Sequence, residues 1–175
     1  MTSRPPGRFP ETPVKIELQS RSESDTLEIA GALGTLLGPG DVVALTGDLG
    51  AGKTVFCKGI GEALGIPAAR ITSPSFTIVT EHPGGRMLFR HVDVYRLGSV
   101  REAEEIGLEE TFGGEGACAV EWAERIENLL PTGCIRVTLL VSDEQEEERR
   151  ITVEAGDSPR IRSFLSRVEP FVLGG

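Results

Sequence analysis

Apolar residues recur along this chain with two different periods, and their succession predicts strands alternating with helices. VKIEL, Val14 to Leu18, alternates apolar and polar side chains as a short strand does. Asp25 followed three positions later by Glu28 reads as a helix N-terminus, and Ile29, Ala30, Leu33, Leu36 and Leu37 give that helix its buried face. Gly38-Pro39-Gly40 stops it. Val42-Val43-Ala44-Leu45 is a continuous apolar strand. Beyond a glycine-rich loop, Phe56, Ile60, Ala63 and Leu64 fall on one helical stripe closed by Gly65 and Pro67.

The second half repeats the alternation less regularly. Phe76 to Thr80 and Met87 to Val94 read as strands, with His82-Pro83-Gly84-Gly85 as the turn of a hairpin. Residues 99 to 111 look helical. Ala117 to Val120 is a short apolar run of the kind found in a strand buried on both faces. Glu124 to Leu130 reads as a helix ended by Pro131. Ile135 to Val141 and Arg150 to Val153 flank the acidic stretch Asp143 to Glu148, a solvated hairpin tip, since like charges repel and stay wet. A helix over 158 to 168 completes the pattern, and there is no internal repeat.

With 175 residues and 39% hydrophobic content, the chain has material for one core and is short for two. The expected fold is α/β: a single P-loop NTPase-like domain, residues 14 to 170, with a mixed, mainly parallel β-sheet flanked by helices. Residues 1 to 13, with four prolines, read as a disordered extension. A net charge of -9 argues against a broad basic face for nucleic acid, so any nucleic acid is expected to be held by a partner. Cys57, Cys118 and Cys134 are odd in number and lack a C-x-x-C pair, which suits reduced, buried thiols. No apolar run has the length of a secretory signal or membrane span, and a cytoplasmic location is expected.

The chemistry begins at GDLGAGKT, Gly47 to Thr54, which matches G-x-x-x-x-G-K-[ST] between an apolar strand and a helix. Asp48, Leu49, Gly50, Ala51, Gly52, Lys53 and Thr54 are the expected phosphate-binding residues. Their amides and the helix dipole would hold an anion, Lys53 would reach β/γ-phosphates, and Thr54 would ligand Mg²⁺. The expected cofactors are therefore ATP and Mg²⁺. Two acids are candidates for the metal or the attacking water. Glu121 follows the buried run directly, where ligands of open α/β sheets lie. Asp93 shares a strand face with His91 and Tyr95. The pattern does not say which acid does which. His91 is expected to orient rather than catalyse. Trp122, the only tryptophan, is either a core anchor or a stacking surface. Ser73-Pro74-Ser75-Phe76-Thr77 is a proline turn or a phosphate-sensing switch.

Taken in order, LTGDLGAGKT, TSPSFTIV, HVDVYRL and VEW resemble the TsaE family (formerly YjeE), over about Ser20 to Val141. The resemblance implies a P-loop ATPase of bacterial tRNA threonylcarbamoyladenosine biosynthesis. It also implies a switch at Ser73 to Thr77, Mg²⁺ on Thr54 and Asp93, and an activity that needs Glu121, with Trp122 beside it. It further implies action with the TsaD and TsaB proteins, which carry the transfer to the adenosine next to the anticodon, so tRNA is met only through the complex. Ser75 stands where the family usually has threonine; the hydroxyl is kept. Adenine contacts are expected before the first helix and near the late strands. Two rival readings are a small-molecule P-loop kinase, using Arg86, Arg90 or Arg96 on an acceptor, and a nucleotide-gated interaction module.

Overall fold

The computed structural model describes residues 13–174. The expected extension lies outside the described residues except for Pro13, which opens the first strand. Seven strands form one sheet: β1 (Pro13–Ser20), β2 (Val42–Thr46), β3 (Val79–His82), β4 (Phe89–Asp93), β5 (Ala117–Glu121), β6 (Ile135–Val141) and β7 (Arg149–Gly156). Their spatial order is β1-β7-β6-β2-β5-β4-β3. β6, β2, β5 and β4 run parallel, and antiparallel pairs extend both edges. This is the mixed, mainly parallel sheet that the pattern predicts.

The four main helices are α1 (Glu23–Gly34), α2 (Lys53–Ala63), α3 (Val100–Glu105) and α4 (Pro159–Arg167). β2 is apolar on both sides because both sides are covered. Val43 and Leu45 pack under the helical layer of α1, α2 and α4 with Phe56, Ile60 and Phe164. Val42 and Ala44 face the opposite core of Val92, Val120, Leu108 and Ile126. α1 and α2 meet closely through glycine. A Cβ on Gly59 would stand 2.6 Å from the Leu27 carbonyl oxygen, and one on Gly34 would stand 2.8 Å from Ala63 Cβ. This contact holds α2, and with it the loop at its start, against the rest of the layer.

Several elements depart from the expectations, each for a local reason. α1 begins earlier than Asp25: Ser22 is the N-cap and accepts from the Asp25 amide, while the Asp25 carboxylate accepts from the Arg21 amide. Phe76 and Thr77 lie in a turn rather than a strand, because the Ile78 amide bonds back to the Pro74 carbonyl and Ile78 takes a φ of 65°. The hairpin starts only at Val79 and extends through His82. The helix expected over 99 to 111 breaks at Gly107, φ 68°, and continues as a 3₁₀ turn, Leu108–Thr111. Ala123–Leu129 is 3₁₀ rather than α, interrupted at Ile126. The acidic stretch does lie in the exposed β6–β7 connection. Among the described residues, no helix is long and apolar enough to cross a membrane.

Candidate active site

β2 ends at Thr46, and the chain turns through Gly47 to Gly52 into α2. Gly47, Gly50 and Gly52 have φ values of 145°, 81° and 103°, a region that strains residues carrying a Cβ. At Gly47 there is no room for one either: it would meet the Leu139 carbonyl oxygen of β6 at 2.4 Å. Gly52 occupies the N-cap of α2 without a side-chain cap, so the first helical amides keep no side-chain acceptor. A helix start left in this state is an anion site. Arg149 of β7 braces the loop from the far side, donating from Nε to the Ala51 carbonyl at 3.0 Å and from a terminal nitrogen to that of Gly50 at 3.3 Å.

Lys53 is buried and turned back on its own loop. Its Nζ donates to the Gly47 carbonyl and, at 2.9 Å, to that of Asp48. It also stands 3.7 Å from the Trp122 ring centroid, within cation–π range. Among the described residues no carboxylate is within ion-pair distance of it. Burial pushes the ammonium below its usual pKa, with Glu121, Glu124, Asp93 and Asp48 pulling the other way. The lysine is a charge short of a counter-ion.

Parallel pairing brings the two acids beside the loop. Glu121 pairs in register with Leu45 of β2 on one side and Asp93 of β4 on the other. Each acid is only 3% exposed, so each must find hydrogen bonds inside the protein. The Thr54 hydroxyl shares its one proton between the Glu121 oxygens, at 2.9 Å from Oε1 and 3.1 Å from Oε2, and His91 Nε2 lies 2.7 Å from Oε1. Asp93 accepts from the Ser73 hydroxyl and, at 2.9 Å, from the Tyr95 amide two residues on. That turn ends β4, so Tyr95 leaves the strand face it was expected to share with His91 and Asp93.

The cleft these residues line measures about 490 Å³ and includes Gly50, Gly52, Lys53, Thr54, Ser73, Asp93, Glu121 and Trp122. Trp122 does both: it is a wall of the site and, partly buried, packs against the core of Val92, Val120 and Ile126. It takes a φ of 62°, and its ring meets Tyr95 at 4.8 Å between centroids. Leu49 and Phe76 are exposed at the rim, with Arg96 4.0 Å over the Phe76 ring. The donors converging on the cleft are oxygens, a set that suits Mg²⁺ better than a thiophilic ion. Cys57 and His91 lie behind Glu121, their ligand atoms within 4.8 Å of it. Burial first, and Glu121 beside it, hold the Cys57 thiol protonated. Burial pushes Cys118 up to about 12 as well.

Two residues important to the geometry were not singled out by the sequence pattern. Arg149 reaches the loop from 98 positions away, just ahead of the run Arg150 to Val153 that the pattern marks only as flanking the acidic stretch. Gln19 and Arg149 line a second cavity of about 450 Å³ with Leu140, Val141 and Asp143. Of the three arginines proposed to grip a kinase acceptor, Arg86 donates to the Leu37 and Gly34 carbonyls and Arg90 to Glu81 and Gly113. Only Arg96 reaches the cleft.

A parallel sheet between helical layers, a P-loop joining β2 to α2, and acids at the ends of the neighbouring strands define a P-loop NTPase-like α/β protein. A family model described as threonylcarbamoyl adenosine biosynthesis protein TsaE matches residues 20–151. The chain is 41% identical over 141 residues to the tRNA threonylcarbamoyladenosine biosynthesis protein TsaE of Bacillus subtilis, covering 81% of this chain and 86% of that one. Against the Treponema pallidum protein of the same name it is 42% identical over 134 residues, 77% of this chain and 96% of that one. A crystal structure of Bacillus subtilis YdiB superposes with a TM-score of 0.71 at 34% identity, covering 92% and 98% of the two chains. The chain belongs to the TsaE family, whose members serve tRNA threonylcarbamoyladenosine biosynthesis.

Proposed function

We propose that the protein is a Mg²⁺-dependent ATPase that supports the threonylcarbamoyladenosine modification of tRNA next to the anticodon, acting in the cytoplasm with TsaD and TsaB homologues. One observation carries the ATPase reading: two buried carboxylates, Asp93 and Glu121, meet Thr54 and Lys53 of a P-loop in one cleft, and among the described residues no lysine or arginine is within ion-pair distance of either acid. A bound metal would balance the acids, and a bound polyphosphate would balance the lysine.

In this reading the amides from Asp48 to Thr54 hold the phosphates. Lys53 leaves the Gly47 and Asp48 carbonyls for the β/γ-phosphates. Thr54, Asp93 and Glu121 are the residues that would hold Mg²⁺, whose charge offsets that developing on the phosphate oxygens during transfer. One of the two carboxylates also orients the attacking water. Trp122 closes the side of the site against bulk water. The cavity between Gln19 and Arg149 would take the adenine, because it adjoins the loop through Arg149 and lies before α1 and beside the late strands. Among the described residues Arg96 is the arginine that lines the cleft, and it is stacked on Phe76, so hydrolysis by the chain alone is expected to be slow and partner-stimulated.

The test is reconstitution of the modification over several turnovers, with ATP hydrolysis followed in parallel. The expected result is that turnover needs this chain, and that Lys53→Ala abolishes the requirement's benefit and the ATP hydrolysis together. Modification unchanged by Lys53→Ala would overturn the proposal. ATP binding that supports modification without hydrolysis would favour a nucleotide-gated interaction module instead.

A further inference from the structure

Glu121 is the best-connected side chain of the cleft, and its three hydrogen bonds are of two kinds. Thr54 sits at the start of α2, on the loop that must rearrange around phosphate, so its bonds to both carboxylate oxygens are exchangeable. His91 is different. It is fully buried on β4, next to β5, and its ring lies stacked with Phe89 at 6.3 Å between centroids and 18° between planes. Its Nε2 meets Glu121 Oε1 at 2.7 Å. Nothing about that contact depends on the loop.

The ring's other nitrogen shows which form the contact takes. Nδ1 is buried and has no hydrogen-bond partner. An imidazolium, or a ring protonated at Nδ1, would bury an unsatisfied N–H donor, and a charged one in the first case. A neutral ring protonated at Nε2 donates its one proton to Glu121 and leaves only an unshared acceptor at Nδ1. In that form His91 fixes the direction of the carboxylate through a single bond to Oε1.

We propose that His91 is a positioning residue that permanently holds Oε1 of Glu121, so that Oε2, which His91 does not reach and which has only the longer, 3.1 Å share of the Thr54 hydroxyl, is the oxygen that works in the cleft. This rests on the ATPase reading above and assigns within it a division of labour between the two oxygens. Without the His91 bond, Glu121 would lose its orientation when Thr54 turns to the nucleotide. It would then present either oxygen, or swing toward the Cys57 thiol within 4.8 Å. Side chains that orient a metal- or substrate-facing carboxylate typically change activity by about 10- to 100-fold when removed.

Two measurements test this, one of them without nucleotide or metal. Long-range ¹⁵N NMR of the free protein should show His91 neutral and protonated at Nε2, with that proton shifting in Glu121→Gln; a ring protonated at Nδ1 or on both nitrogens would overturn the proposal. Steady-state ATP hydrolysis should show His91→Leu lowering kcat by about 10- to 100-fold with KM for ATP little changed. His91→Gln, whose amide nitrogen can take the place of Nε2, should recover most of that loss. In a Glu121→Gln background, His91→Leu should add nothing further. Equal losses in the Leu and Gln variants, a rise in KM that matches the fall in kcat, or additive losses in the double variant would each sink the assignment. A wild-type chain that hydrolyses no ATP even with its partners would overturn the parent reading, while the free-protein tautomer would still decide whether His91 orients Glu121.

Discussion

Strand β2 has a buried acid arrangement at each end, and the two are built to opposite purposes. Before its first residue, Asp41 accepts from Arg160 at 2.6 Å and from the Gly38 amide at 2.7 Å. A guanidinium and an amide answer the carboxylate, and α4 is tied to the end of α1 in consequence. At its other end, level with Leu45, Glu121 and Asp93 are more deeply buried, yet their partners are hydroxyls, an imidazole nitrogen and a backbone amide. A buried acid with its cation in place is a structural tie. Buried acids hydrogen-bonded but with no lysine or arginine beside them among the described residues could hold a cation, and in the proposed function they would face the phosphate on the P-loop.

The sharpest way to break this comparison is to remove each charge while keeping its shape. Glu121→Gln is expected to lower ATP hydrolysis by about 100-fold or more, the scale for removing a preorganised charge contact. Its urea midpoint should stay unchanged or rise, because an uncompensated buried charge is lost. A large fall in stability with hydrolysis intact would reverse the reading. Asp41→Asn should do the converse: a loss of about 2 kcal/mol in urea unfolding, below the range for fully buried pairs because Arg160 is partly exposed. Its nucleotide affinity, followed by Trp122 fluorescence, should be unaltered.

Smaller changes sharpen the contrast. Ser73→Ala removes one donor from Asp93 and is expected to raise the Mg²⁺ concentration needed for half-maximal hydrolysis about tenfold. An unchanged Mg²⁺ requirement would mean that Ser73 only shapes the turn. The smallest effect lies outside both acid sites. Burial first, with Arg70 acting in the same direction, holds His82 below its ordinary pKa of 6.5, so it stays neutral in the fold while the unfolded chain takes up a proton. Its contribution is complete above pH 6.5 and is lost as pH falls below that value toward the folded-state pKa. Unfolding measured from pH 7.5 down to 5.5 (about neutral to mildly acid) should show a slope that His82→Leu flattens.

The elements with a strong repeating pattern were legible. β2, α2 and β5 carry contiguous apolar runs or stripes, and the structure places them within a residue or two of expectation. The failures share a cause: a backbone feature that no periodicity records. Ile78 and Trp122 both adopt positive φ although neither is glycine, at about 1–3 kcal/mol each. Ile78 ends the turn that shortens the hairpin, and Trp122 begins the 3₁₀ segment that was expected to be a helix. Both flank the cleft, where the surrounding contacts hold conformations that local preference alone would not choose.

The amino-acid sequence by itself determined the phosphate loop, since its glycines, lysine and threonine are consecutive and act through their own backbone. It also determined which strands are buried on both faces, because an unbroken apolar run has no polar side to turn outward. Only the tertiary structure decided who stands beside whom at the strand ends. His91 meets Glu121 across 30 residues and Arg149 meets the loop across 98, while Trp122 spans from the core edge to Lys53. Strand order is set by the packing of two helical layers over the whole sheet, a non-local balance. The charge pattern of the site follows from that order: Arg160 was brought to Asp41, and among the described residues no lysine or arginine was brought within ion-pair distance of Asp93 or Glu121.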